Sequence, residues 1–336
     1  MIQSSKSKII IFTECLSSTG LGHLGRCTAL AEILQEGGHD AEIVLHTDGT
    51  GLGAQTNVPI RVLDWKNQEI LSDFLNKENP QIVFADSYLA DVQVYETIHK
   101  KVQKLICIDD TNRIRYPKKA LILNPGFGGM YLDYDKERNQ VFTGIEYVLL
   151  KKPFRESFKI SKIQEKIKSI LVTLGGGDDQ WDLVPKILEL LTHGYPEWRK
   201  EIVIGPALRN IEEIKAKVDQ NTNLHSGLSA RDMRDLMLSV DLAITAGGQT
   251  TYELAKCGVP MIIVETAENQ RLNMLVWKEF YEVRTVHSGR ILTDEVILHI
   301  SKLIVEYKEM LIRKNTCKNL NTAFADILGH GILNLV

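Results

Sequence analysis

The sequence predicts an α/β protein built as two parallel-sheet halves. Three observations carry that expectation. Short apolar, β-branched runs alternate with longer stretches of helical spacing, the pattern of strands covered by helices on both faces. The series occurs twice, and each half opens with a strand followed by a glycine-rich loop. Between the halves lies KKPFRESFKISKIQEKIK, a polar and charged segment with no strand pattern. The expected organisation is a first domain over 1–150, a linker over 151–168 and a second domain over 169–336.

Element by element, Lys8–Phe12 reads as a buried strand. Leu24–Glu36 has helical spacing, with Leu24, Leu30, Ile33 and Leu34 on one face, and Gly37-Gly38 supplies its stop signal. Ala41–Leu45, Ile60–Leu63, Ile82–Ala85, Leu105–Ile108 and Ala120–Leu123 continue the strands of the first half. In the second half, Ser169–Leu174 opens the series and leads through a glycine loop to a helix ending at Leu191. Glu201–Ile204, Ala243–Thr245 and Met261–Val264 are its further strands. Helical spacing covers a stretch ending near Val218, Thr250–Cys257, Arg271–Phe280, Asp294–Leu311 and Thr322–Leu335. Ligands of open α/β sheets sit beyond the carboxyl ends of the strands, so both glycine loops are expected to face a cleft between the halves.

Composition bounds the function. The 336 residues are 44% hydrophobic and 25% charged, with 40 Lys+Arg against 43 Asp+Glu and a net charge of −3. That balance argues against a protein built chiefly to hold nucleic acid. Cys15, Cys27, Cys107, Cys257 and Cys317 contain no CxxC pair, so neither a disulfide framework nor a zinc site is expected. The first apolar run is too short for a signal sequence, and no segment reads as a membrane span. A cytoplasmic protein with reduced thiols, acting as a monomer without cofactor or metal, is the expectation.

The loop Ser17–Arg26, SSTGLGHLGR, lies between a strand and a helix. Gly20 and Gly22 permit a tight turn and close approach of a ligand to backbone N–H groups. The spacing is not the dinucleotide fingerprint, because the third glycine is missing and Asp48 is only a weak partner for a ribose. His23 stands at the helix start, where the helix dipole favours a neutral imidazole able to serve as a general base. Gly20, Gly22 and Arg26 are the loop's candidate substrate-binding residues.

AGGQTTYE at 246–253 follows the strand LAIT. Gly247, Gly248, Gln249 and Thr250 enter a helix whose free N–H groups suit a diphosphate, with the hydroxyls of Thr250 and Thr251 as further donors. Glu253, one turn in, is placed to accept ribose hydroxyls. Capping of the helix by Thr250 and Glu253 explains the same residues equally well. Gly175 and Gly176 in LGGGDD fit a ligand contact or a plain strand-to-helix turn. Asp178-Asp179 there, and Asp109-Asp110, have no third ligand at useful spacing, so a metal cage is not supported. Asn269 and Gln270, in AENQ after the strand PMIIV, can reach sugar or phosphate, or form a polar turn. Tyr88 in DSY, and with a weaker case Asn124, also follow strands.

Taken together, GLGHLGR, DSY, CIDD, ILNPG, GIEYVLLKKPF, LVTLGGGDD, DLAITAGGQTTYELAKCGVP and VETAENQ run in this order over about 270 residues. The ordered set resembles the PseG family of UDP-sugar hydrolases of pseudaminic acid biosynthesis and the related SpsG spore-coat polysaccharide proteins. Both resemble MurG, the peptidoglycan glycosyltransferase. The resemblance implies a GT-B-like fold, two Rossmann-like domains facing each other across a cleft. It implies hydrolysis of UDP-2,4-diacetamido-2,4,6-trideoxy-β-L-altropyranose, with His23 as catalytic base and Tyr88 and Asn269 at the sugar. Gly247, Gly248, Thr250 and Glu253 fall on the family's UDP loop. Gln249, where a small Ser is common, and Ser87, where His occurs, depart from the pattern. On this scaffold the alternative is a glycosyltransferase using a UDP-sugar donor.

Overall fold

The computed structural model describes residues 8–53, 56–160, 163–176, 181–209, 211–287, 293–324 and 330–336. Asp178 and Asp179 lie outside the described residues. The chain divides into two compact units, Met1–Lys152 with Ile327–Val336, and Pro153–Asp326.

In the first unit the order is β1 (Lys8–Cys15), α1 (Gly22–Glu36), β2 (Asp40–Thr47), β3 (Ile60–Val62), α2 (Gln68–Glu78), β4 (Ile82–Asp86), α3 (Val92–Lys101), β5 (Lys104–Ile108), β6 (Leu121–Asn124) and β7 (Val141–Thr143). The strands form one parallel sheet in the order β3-β2-β1-β4-β5-β6-β7. Side chains alternate faces along β1. Ile9 and Ile11 pack with Leu30 and Leu34 of α1. Ile10 and Phe12 point the other way, onto Leu71 and Leu75 of α2 and Val94 and Ile98 of α3. Each such fully buried aliphatic side chain stabilises the fold by about 1.5–3 kcal/mol, which is why the central strands are apolar on both faces.

The second unit begins within α4 (Lys152–Arg155). It continues through β8 (Ser169–Thr173), α5 (Leu183–Gly194), β9 (Arg199–Ile204), α6 (Ile211–Ala216), β10 (Thr222–Ser226), α7 (Ala230–Leu238), β11 (Leu242–Ala246), α8 (Thr250–Lys256), β12 (Met261–Val264), α9 (Arg271–Tyr281), β13 (Arg284–Val286), α10 (Thr293–Lys308) and α11 (Met310–Phe324). Its six strands are parallel, in the order β10-β9-β8-β11-β12-β13. Ile170 and Val172 of β8 share a core with Ile187 and Leu191 of α5 and Ile300 and Ile304 of α10.

Three differences from the sequence reading have simple causes. The last segment, assigned from sequence to the second domain, returns to the first unit as α12 (His330–Leu333). Ile332 and Leu335 join the α1 core, and Lys104 Nζ donates to the Leu335 carbonyl at 2.9 Å. An apolar helix face says that it must be buried, not in which core. Helical spacing over Asp294–Leu311 resolves into α10 and the start of α11. Strands β7, β10 and β13 and helices α3 and α7 escape the reading; β7 and β13 have three residues each, and VFT and TNLHS hold no fully buried residue.

Each sheet has one topological switch point, where connections leave in opposite directions. In the first it lies between β1 and β4, in the second between β8 and β11. Ligand crevices of open α/β sheets form at the carboxyl ends of such a strand pair.

Candidate functional site

The switch point of the first unit gathers a charged network from three strand ends. Gly20 adopts φ +69°, a left-handed turn open to glycine, and its N–H donates to the Leu16 carbonyl at 2.8 Å. The turn places His23 at the second residue of α1. Asp48, the weak ribose candidate, instead clamps this loop. Its carboxylate accepts from Ser17 N at 3.0 Å and Thr50 N at 3.1 Å. Hydrogen bonds, first from Thr50 and then from Ser17, hold it well below the usual carboxylate range.

His23 is 4% exposed and Asp86 is fully buried. Nδ1 of His23 lies 2.8 Å from Oδ1 of Asp86. Arg26 grips the same carboxylate with Nε and Nη2, both at 2.6 Å, and donates through Nη1 to Asp110 at 2.7 Å. Burial pushes the Asp86 carboxyl up, but Arg26 and then His23 overcome it and hold the group well below its ordinary range. Asp86 is therefore an acceptor only. The proton in the His23–Asp86 bond belongs to Nδ1, and a neutral ring carries its lone pair on Nε2. Among the described residues Nε2 has no hydrogen-bond partner and is not among the fully enclosed unpartnered atoms, so the ring's small exposure includes that nitrogen. The ring is nearly enclosed.

Tyr88 walls the other side of the imidazole. The two rings meet edge to face with centroids 4.3 Å apart, and the Tyr88 hydroxyl donates to Asp110 at 2.7 Å. Arg26, expected at the substrate, is committed to Asp86 and Asp110. Burial works against its charge, but the two carboxylates raise its pKa well above the ordinary value. Asp109 and Asp110 diverge. Asp110 joins this network, while Asp109 accepts from Thr111 N at 3.2 Å and is raised by burial. Asn124 donates to Tyr134 at 3.1 Å and is structural. Cys27 donates to Asp86 at 3.3 Å; burial, then Asp86, raises its thiol far above a nucleophile's range. No cluster of metal-ligating side chains occurs among the described residues.

In the second unit the loop after β11 is locked from beneath by α9. The Gln270 carbonyl accepts from Gly247 N at 3.1 Å and Thr266 N at 2.9 Å, and its amide donates to Thr266 Oγ1 at 3.0 Å. Asn273 donates to the Gly247 carbonyl at 2.7 Å. A Cβ on Gly247 would lie 2.7 Å from Met274 Cγ, so this glycine answers to packing. A Cβ on Gly248 would meet nothing within 4 Å. Thr251 is buried; its hydroxyl donates to the Gly248 carbonyl at 2.7 Å and accepts from Trp277 Nε1 at 3.0 Å. Thr250, Gln249 and Glu253 are half-buried, and Asn269 is exposed. The N–H groups of Gly248 and Thr250 have no acceptor among the described residues. Gly175, at φ +91°, and Gly176 follow neighbouring β8. Of the residues expected at a ligand, Gln270 and Thr251 thus have their polar atoms engaged within the unit.

No protein-family model matches the chain. It is 24% identical over 323 residues to the Helicobacter pylori pseudaminic acid cytidylyltransferase and UDP-2,4-diacetamido-2,4,6-trideoxy-β-L-altropyranose hydrolase, covering 95% of this chain and 53% of that protein. The chain thus spans about half the length of that relative. It is 22% identical over 310 residues to the Bacillus subtilis spore coat polysaccharide biosynthesis protein SpsG, covering 88% of this chain and 89% of that one. The structure of MurG from Acinetobacter baumannii matches with a TM-score of 0.61 at 15% identity, covering 99% of both chains. The fold is GT-B. Within each GT-B unit, the groups just described sit at the carboxyl ends of the switch-point strands. No helix among the described residues is long and apolar enough to cross a membrane.

Sequence reasoning missed three members of the first site. Asp86, the partner of His23, was noted only as the start of DSY. Its signal was a lone acid closing an apolar strand. Glu14, near the end of β1, carries the same signal, whereas Asp110, two residues past β5, belongs to the Asp109-Asp110 pair weighed from sequence only as metal ligands.

Proposed function

We propose that this chain hydrolyses a UDP-linked diacetamido-trideoxy sugar, releasing UDP and the free sugar for surface polysaccharide biosynthesis. The observation that carries this reading is the His23–Asp86 pair at the first switch point. It leaves the lone pair of Nε2 on a ring held by Asp86 and packed against Tyr88. The similarity to the Helicobacter pylori and Bacillus subtilis proteins supports the substrate class.

In this reading Nε2 removes a proton from water as the water oxygen bonds to the anomeric carbon. The bond from that carbon to the diphosphate oxygen breaks, and its electron pair leaves with UDP. The attack inverts the centre. Asp86 stays ionised and stabilises the imidazolium that forms, and Arg26 keeps Asp86 in place. The N–H groups of Gly248 and Thr250 hold the diphosphate, where they stabilise the charge that develops on it. Glu253 takes the ribose, and Tyr88 and Asn269 contact the sugar.

The test follows free UDP from a panel of UDP-, CMP- and dTDP-sugars, with no acceptor, in ¹⁸O-labelled water. Release of UDP with label in the sugar is expected. Label in UDP means attack at phosphorus and overturns the mechanism. UDP release that waits for an added hydroxyl acceptor overturns the hydrolase in favour of a transferase.

A further inference from the structure

Glu14 is the last but one residue of β1 and is fully buried. Its carboxylate has no ion-pair partner among the described residues. Both its hydrogen bonds cross to the loop after β4: Ser87 Oγ donates to Oε2, and Tyr88 N donates to Oε1 at 2.9 Å. A buried carboxylate without a cation is costly, so a purely structural role is a poor account of it. The Ser87 hydroxyl, its proton directed to Glu14, accepts from Leu89 N at 3.0 Å and Ala90 N at 2.9 Å. Glu14 and Ser87 thereby hold the N–H groups of the turn, while Arg113 Nη2 holds its carbonyls, donating to Ala90 O at 2.6 Å and Ser87 O at 3.3 Å. The residue at the centre of that turn is Tyr88, whose ring lies against His23.

We infer that Glu14 is a positioning residue: it clamps the Ser87-Tyr88 turn so that the Tyr88 ring stays packed on His23. The catalytic consequence rests on the hydrolase reading above; the clamp itself does not. Glu14 reaches the turn from the sheet face opposite α1, since Phe12, two residues earlier on β1, packs with α2 and α3. It therefore acts on the imidazole through the turn that carries Tyr88, and its hydrogen bonds go to Ser87 and Tyr88 rather than to His23.

The test compares wild type with Glu14→Ala, Glu14→Gln, Ser87→Ala, Tyr88→Leu and the doubles, after thermal melts establish folding. The first readout is the ring-current shift of the His23 imidazole protons by NMR. Glu14→Ala should move those resonances in the direction that Tyr88→Leu does. The Glu14→Ala/Tyr88→Leu double should match Tyr88→Leu alone. The second readout is UDP release, where Glu14→Ala should lose about 10-fold in kcat, because small misplacements of catalytic groups are expensive, and lose nothing further in the double. Glu14→Gln keeps an acceptor for Tyr88 N, and its effect should be non-additive with Ser87→Ala. That pair decides the question if Glu14→Ala does not fold. Wild-type His23 resonances in a folded Glu14→Ala, or additive losses in the Glu14→Gln/Ser87→Ala double, would overturn the clamp. Absence of turnover in wild type would sink the hydrolase reading and leave the resonance arm to judge Glu14.

Discussion

His23 and Asp86 stand 63 positions apart in the chain and 2.8 Å apart in space. They meet because β1 and β4 are neighbours, with Thr13 in register with Asp86, and because α1 starts directly above that pair. The carboxylate reads the imidazole through Nδ1 and so decides which nitrogen is basic.

Removing the imidazole should therefore remove the chemistry and spare nucleotide binding. His23→Ala is expected to lower UDP release about 10²–10⁴-fold, the usual worth of a positioned general base, with the Kd for UDP unchanged in calorimetry. Asp86→Asn offers an amide that can donate to Nδ1, which leaves the proton on Nε2. It should cost a comparable factor; near-normal turnover in that variant would contradict the tautomer argument.

Acid stability should depend on Arg26. Asp86 is pushed up by burial and pulled further down by Arg26 and His23. A carboxylate with a depressed folded pKa contributes stability that is present above its unfolded value, about 3.9, and lost as pH falls through the lower folded value. In Arg26→Met burial has less opposition, so the carboxyl rises and acid unfolding begins at a higher pH. Stability at pH 7 should also fall by about 3–5 kcal/mol, the cost of stranding one partner of a buried pair. Melting curves between pH 3 and 8 check both; an unmoved acid transition would refute the assignment.

Asp109 should behave in the opposite sense. Burial raises its carboxyl, and Oδ2 is buried without a partner. A raised acid favours the fold most below its unfolded pKa, and that advantage disappears as pH rises through the folded value. Asp109→Asn is thus expected to raise Tm at pH 7 and to change it less at pH 3.5. Equal shifts at the two values would show that ionisation is not the cause.

Adjacent glycines in the second unit should separate packing from ligand contact. Gly247→Ala drives a methyl against Met274 and should destabilise by about 1–3 kcal/mol, as overpacking does. Gly248→Ala meets no protein atom within 4 Å, so the fold should tolerate it. If a diphosphate lies on its N–H, UDP affinity should drop while Tm holds. Undiminished UDP binding by folded Gly248→Ala would remove this loop from the nucleotide site.

Much of the architecture was legible because apolar runs of β-branched residues have few places to go. Ile9–Phe12, Val83–Phe84 and Ile262–Val264 are buried on both faces and read as strands without help. TNLHS of β10 and VFT of β7 are defined by the strand beside them rather than by their own composition. At the site, glycine spacing pointed to His23 and to Gly247-Gly248. It gave no sign that Arg26 would be consumed by Asp86 and Asp110, or Gln270 by Gly247 and Thr266, since a polar side chain has the same identity whether its partner is a ligand or a neighbouring loop.

By itself, then, the sequence determined two sheets, two glycine loops and a histidine at a helix start, because periodicity and backbone freedom are local properties. Only the tertiary structure decided that β4 inserts beside β1, that Asp86 thereby fixes the His23 proton, that Glu14 holds the turn carrying Tyr88, and that the last helix rejoins the first core. Those are contacts between residues far apart in the chain, and strand order, not local spacing, brings them together.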